Sequence, residues 1–210
     1  MDLGEFNRKE WPEFLLASGR NAEAAAAADD VSKSRSAMGR AAGHAVAGRA
    51  AIALGKVEQA TAELAAAEQA LQTMNNPGPF VPNVEGLRGE ILMKHGEAAQ
   101  GTPMLKQLEP AMRLLSGPDE WTETLFWLED IFRIARASDA WDLAEFTAAQ
   151  MAEHDPHYGG THYALGIVAE HKGDAAGARR EFTEAERAWT HADADFRPLV
   201  EVRNKLAGTK

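Results

Sequence analysis

The stretch His162–Trp189, HYALGIVAEHKGDAAGARREFTEAERAW, decides the fold. Its first half sets His162, Leu165, Gly166 and Ala169 at steps of three, one and three. Its second half sets Ala178, Phe182 and Ala185 at steps of four and three. Both are helical spacings, and Gly173 separates them with a turn, so the segment reads as two helices folded back on each other. The residues before it repeat the plan. Leu128, Ile131, Phe132 and Ala135 fill the first half, Ala144, Ala148 and Met151 the second, and Pro156 closes the unit. Residues 125–158 and 159–192 are therefore two tandem copies of one 34-residue unit, a period that marks stacked helical hairpins.

These residues resemble the tetratricopeptide repeat family, whose pattern is W-x2-L-G-x2-Y followed by A-x3-F. His162 stands for the first aromatic and Ala169 for the Tyr. The same frame upstream finds His44, Ala47, Gly48 and Ala51 with Ala60, Leu64 and Ala67, then Gly89 and Leu92 with Gly101, Leu105 and Leu108. A degenerate first copy has Trp11 and Leu15 with Ala24, Ala28 and Val31. The resemblance implies an all-α, right-handed α-solenoid of about five antiparallel helix pairs, near 5–38, 41–74, 82–115, 125–158 and 159–192. It covers 1–210 as a single repeat domain.

Turns inside the hairpins are expected at Gly19, Gly55, Gly96, Asp139 and Gly173, roughly 36, 41, 43 and 34 residues apart against a family period of about 34. The middle hairpins therefore need longer helices or connections. Glycine suits these turns because it reaches the left-handed conformation without a Cβ penalty. Gly48, Gly89 and Gly166 fall mid-helix, where each costs about 1 kcal/mol relative to Ala. The frame sets them opposite Ala60, Gly101 and Ala178, so close approach of paired helices is the expected compensation. Breaks between repeats fall at Asn75-Asn76-Pro77-Gly78-Pro79, Ser116-Gly117-Pro118 and Asp155-Pro156. Pro12 either starts or interrupts the first helix. A capping helix is expected over about 196–207, with Leu199, Val202 and Leu206 on one face and Asp193 or Asp195 at its start.

Composition agrees with an all-α chain: Ala is abundant, β-branched runs are scarce, and no alternating strand pattern occurs. The 210 residues carry 22 Lys and Arg against 32 Asp and Glu, a net charge of −10, with the cations scattered among the acids. Nucleic acid, which needs clustered cations, is not an expected partner. No run approaches ~18 uncharged apolar residues, so no membrane span is expected. Residues 1–11 have no basic and apolar signal pattern, which makes the cytoplasm the default location. With zero cysteines, disulfides, thiol catalysis and thiolate metal sites are excluded.

Candidate chemistry is sparse. His154, His157 and His162 invite a metal reading, but Pro156 breaks the helix that would align the first two, and His162, like His44, is a packing position of its repeat. Asp193-Ala194-Asp195 opens like a calcium loop, yet Arg197 and Pro198 stand where a ligand and the Gly belong. Gly48 to Gly55-Lys56 has the wrong spacing for a phosphate loop. No nucleophile elbow and no His-Glu-x-x-His occurs. No cofactor, metal or catalytic residue is expected.

What remains is the concave groove that the resemblance implies, lined by the first helix of each hairpin. Its fifth positions are Ala45, Gly86, Glu129 and Tyr163, its ninth Arg49, Glu90, Arg133 and Ile167, and its twelfth Ile52, Met93, Arg136 and Glu170. From these, Arg49, Glu90, Arg133, Arg136, Tyr163, Ile167 and Glu170 are the expected partner-binding residues. No Asn stands among the named groove positions, which departs from the family's clamp for chaperone carboxylate tails. Arg133 and Arg136, one turn apart, either hold a carboxylate or phosphate or pair with Glu129 and other local acids. Trp121, Phe126, Trp127 and Phe132 crowd one helix; adjacent Phe126 and Trp127 cannot both face one partner, so one contacts a neighbouring repeat or marks an interface, self-association included. The expected function is a non-enzymatic scaffold that binds a peptide or protein segment. The alternative is a regulatory or sensory repeat region of a signalling system that binds a small ligand or an effector domain.

Overall fold

The computed structural model describes the backbone of residues 7–78, 81–113 and 118–208 and the side chains of 8–78, 81–108 and 124–208. Pro79, Ser116, Gly117 and the Trp121 side chain lie outside the described residues. Within them the chain is all-α. After a 3-10 turn at Asn7–Lys9 come α1 (Glu10–Ala17), α2 (Asn21–Ser32), α3 (Ala37–Ala53), α4 (Val57–Gln72), α5 (Val81–Lys94), α6 (Ala98–Arg113), α7 (Pro118–Ala137), α8 (Trp141–His154), α9 (Gly159–His171), α10 (Ala175–Ala188) and α11 (Arg197–Gly208). Internal packing divides the chain into two compact units, Met1–Phe126 and Trp127–Lys210, with the division inside α7.

The five turns fall where the spacing places them. Gly19, Gly55, Gly96 and Gly173 have φ between 75° and 81°, and Asp139 has φ 55°. Each turn closes with the same pair of hydrogen bonds. At the first, Gly19 N donates to Leu16 O (3.0 Å) and Arg20 N to Leu15 O (2.8 Å); at the last, Gly173 N donates to Glu170 O (3.0 Å) and Asp174 N to Ala169 O (2.9 Å). This is the Schellman arrangement, which satisfies the last carbonyls of a helix through one left-handed residue. Asp139 is the one non-glycine in that conformation among the described residues, and its carboxylate accepts from Trp141 Nε1 at 2.5 Å.

In the first unit α3 is the central helix. It packs on α2, α4 and α5, and Ala41, Ala42, Ala45, Val46, Ala50, Ala51 and Ile52 are all buried. A helix apolar on every side can be buried on every side, and small residues let its neighbours approach. Ser36 caps it, accepting from Gly39 N at 3.0 Å. The degenerate first hairpin forms: Pro12 sits in the opening turn of α1, where a missing N–H is tolerated, and Leu15, Ala24, Ala28 and Val31 are buried. Trp11 departs from its packing position. It is 56% exposed and stacks on Phe14, ring centroids 5.7 Å apart.

The mid-helix glycines make room for large side chains rather than only for small ones. A Cβ on Gly48 would come within 2.4 Å of Leu87 Cδ2, on α5 rather than at Ala60; one on Gly166 would come within 2.5 Å of the Phe182 ring rather than meet Ala178. Gly89 and Gly101 do face each other, since a Cβ on Gly101 would stand 2.9 Å from Gly89 O. In the second unit α9 packs on α8 and α10, and α10 on α11. Asp174 caps α10, accepting from Gly177 N at 2.8 Å. The terminal helix buries Leu199 and Val202 as expected, with Leu206 half-buried at its end.

Candidate partner-binding face

Helix ends and faces fix where the expected groove residues go, and the two units treat them differently. In the first unit the named groove positions are buried: Ala45, Arg49 and Ile52 on α3, and Gly86, Glu90 and Met93 on α5. Arg49 is 4% exposed and Glu90 1%, and Arg49 Nε donates to Glu90 Oε1 at 3.0 Å. Burying one charge without its partner is costly, so the pair belongs to the packing between α3 and α5. Arg49 and Glu90 are thus removed from the surface a partner can touch. Burial removes Ile167 of the second unit as well, at 2% exposed; its place on α9 is within the hairpin core.

The remaining four lie at the surface of the second unit. Arg133 is half-exposed and donates to Asp130 Oδ1 at 2.5 Å, one turn back on α7. Arg136 does not share a ligand with it. Its Nη1 donates to the Tyr163 hydroxyl at 2.8 Å, and Nη1 and Nη2 donate to the two oxygens of Glu201 at 3.2 and 2.7 Å. The Tyr163 hydroxyl donates in turn to Glu201 Oε2 at 2.7 Å. One turn further along, Glu170 accepts from Lys205 Nζ, and that ammonium also sits 5.7 Å from the Phe182 ring centroid. The face offered by α7 and α9 is therefore engaged by α11. Burial pulls the Glu201 carboxyl upward, but the hydrogen bonds from Arg136 and Tyr163 overcome it and hold its pKa below the usual value, so it stays ionised. Burial, and then the bond to Glu201, push the Tyr163 phenol up, which keeps it a donor.

A further carboxyl, the named groove position Glu129, is half-buried and pairs with neither Arg133 nor Arg136 by hydrogen bond. Glu129 accepts from the Tyr158 hydroxyl at 2.9 Å, and a Cβ on Gly160 would fall within 2.1 Å of its Oε1. Gly160 thus leaves the space the carboxyl occupies. Desolvation, with Asp130 adding like charge, pushes Glu129 up to about 7 against the opposing effects of Tyr158 and Arg133. The two packing histidines each meet an acid on the partner helix of their own hairpin. His44 Nδ1 lies 2.7 Å from Glu63 Oε2, and His162 Nδ1 lies 2.8 Å from Glu181 Oε2. Both pairs have a separation of 19 residues. That repetition was visible in the sequence as His and Glu at equal offsets in two copies. Trp127 is buried and Phe126 half-buried.

Among the described residues no cluster of three or more His, Asp or Glu side chains could hold a metal, and no helix is long and apolar enough to cross a membrane. A cavity of about 260 Å³ beside α3 and α4 is lined by Arg40, His44, Gln69 and Thr73 with two alanines. Arg40 already donates to the Ser34 and Arg35 carbonyls, and His44 Nδ1 is hydrogen-bonded to Glu63.

No family model matches the sequence, and no curated protein matches it. Among solved structures the chain is similar to the Assembly Chaperone of RpL4 (Acl4), residues 1–338. The TM-score is 0.51 at 16% identity, over 96% of this chain and 84% of that one. At that identity the likeness concerns the fold: an all-α array of paired helices.

Proposed function

We propose that the protein is a non-enzymatic scaffold of tetratricopeptide-type hairpins that binds a segment of a protein partner, working in the cytoplasm. The observation that carries this reading is the α7/α9 face, where Arg136, Tyr163 and Glu170 hold the polar side chains of an amphipathic helix by charge-assisted hydrogen bonds. A surface that orders an arginine fork, a phenol and a carboxylate toward one helix has the chemistry of helix-in-groove recognition. The structural likeness to an assembly chaperone supports a scaffold of this kind through its fold.

Affinity capture tests the reading. Wild type is compared with an Arg136→Ala/Tyr163→Phe variant under matched expression, with captured proteins quantified by mass spectrometry. One or a few stoichiometric partners, depleted by the variant, are expected. Wild type that enriches nothing above a bead control would sink the scaffold reading.

A further inference from the structure

The α7/α9 face is filled by a terminal helix that buries fewer residues than the helices before it. Helix α11 buries two residues, Leu199 and Val202, whereas α8 buries five, α9 seven and α10 four. Leu206 is half-buried beside them and Lys205 also lies over the Phe182 ring, and partly exposed polar contacts complete the attachment: Glu201 on Arg136 and Tyr163, Lys205 on Glu170, and Arg203 Nε on Glu186 at 3.2 Å. Arg136 and Glu201 side chains keep 36% and 33% of their exposure. Partly exposed ion pairs add little stability and fix orientation instead. The helix hangs on an irregular connection, residues 189–196, whose Trp189 packs on Tyr163 and Phe196 at 5.9 and 5.1 Å between ring centroids. Tyr163 and Trp189 belong to the rest of the unit, whereas Phe196, whose carbonyl accepts from Val200 N at 3.1 Å, opens α11.

Resting on the scaffold reading, we propose that the α7/α9 face is an acceptor site for a partner's amphipathic helix and that α11 is its resident occupant, displaced when that partner binds. The partner helix carries the chemistry that α11 displays: apolar residues at i and i+3, as Leu199 and Val202, a carboxylate at i+2, as Glu201, and a lysine at i+6, as Lys205. The carboxylate is the specificity element, because Arg136 and Tyr163 present a fork and a hydroxyl that only an acceptor group satisfies. A resident occupant lowers apparent affinity by the fraction of time it fills the site, and a partner matches or exceeds it by mass action.

The experiment uses the full chain and a fluorescein-labelled peptide with the sequence of residues 195–208, read by fluorescence anisotropy. The chain has no cysteine, so Glu170→Cys/Lys205→Cys joined by a short bis-maleimide locks α11 in place. Val202→Asp expels it. The peptide is expected to bind the Val202→Asp chain at least about tenfold more tightly than wild type and the locked chain not measurably. A peptide with Gln at the place of Glu201 is expected to bind the opened chain at least about tenfold more weakly. If circular dichroism shows Val202→Asp unfolded, Glu201→Gln/Lys205→Gln opens the latch from its polar side and is held to the same criterion. Equal binding to locked and opened chains, or none to a folded opened chain, overturns the proposal. So does a wild-type dimer by light scattering that the cross-link abolishes, which would assign the face to α11 of a second copy. The peptide needs no natural partner, so binding here with empty affinity capture would fail the scaffold reading alone, and the reverse result would fail the latch alone.

Discussion

At the scale of single residues, burial overrules the role that a position in a repeat suggests. Arg49 and Glu90 occupy groove positions in the frame, but they are shut inside the first unit as an ion pair. Arg49→Ala should lower stability by about 3–5 kcal/mol, because Glu90 is left charged in the interior, while Arg49→Leu/Glu90→Leu should cost much less. Urea denaturation of both variants checks this; a double variant as unstable as the single would show that the charges are not the cause. Glu129 gives the pH prediction. Its carboxyl titrates near 7 in the folded chain against 4.5 ordinarily. Between those values the folded state holds a proton that the unfolded chain has released, so this group's contribution to stability falls as pH rises through the window. Glu129→Gln keeps an acceptor for Tyr158 and removes the titration. Its melting temperature should gain on wild type from about pH 5 to about pH 8, and a difference that stays constant across that range would show that Glu129 does not titrate there. Neither burial nor the Tyr158 contact was legible in the sequence, since both depend on a residue 29 positions away.

At the scale of elements the sequence was readable, because turns and helix faces are set by local chemistry. All five turn residues were identified from composition and spacing, and all five adopt positive φ. Gly173→Ala tests the backbone cause alone: a Cβ there meets nothing within 4 Å, so the expected loss of about 1–2 kcal/mol is the strain of a left-handed alanine. Thermal melting at matched pH reads it, and an unchanged midpoint would contradict the assignment. Gly166→Leu tests packing instead. Its Cβ would strike the Phe182 ring, and overpacking should cost about 1–3 kcal/mol. Phe182→Ala in the same chain should return part of that loss if Phe182 is the obstacle. The sequence marked Gly166 as a close-approach site but paired it with Ala178, because the repeat frame gives the helix that faces a residue and not the rotamer that fills the space.

At the scale of the whole molecule, hairpins that touch mainly their neighbours should lose structure outward from a defect. Hydrogen exchange of the Gly166→Leu chain is expected to show protection falling in α9, α10 and α11 well before α3 and α4. A uniform loss along the chain would mean a single cooperative unit instead. By itself the sequence determined the all-α class, the turns inside the hairpins and the terminal helix, because periodicity and glycine at left-handed positions act through residues a few places apart. Only the tertiary structure decided which polar groups face solvent. It closed Arg49 on Glu90, set Glu129 beside Tyr158, and brought Glu201 of α11 onto Arg136 and Tyr163 across 65 and 38 residues. Such pairings depend on desolvation and charge between helices distant in the chain, which no local spacing encodes.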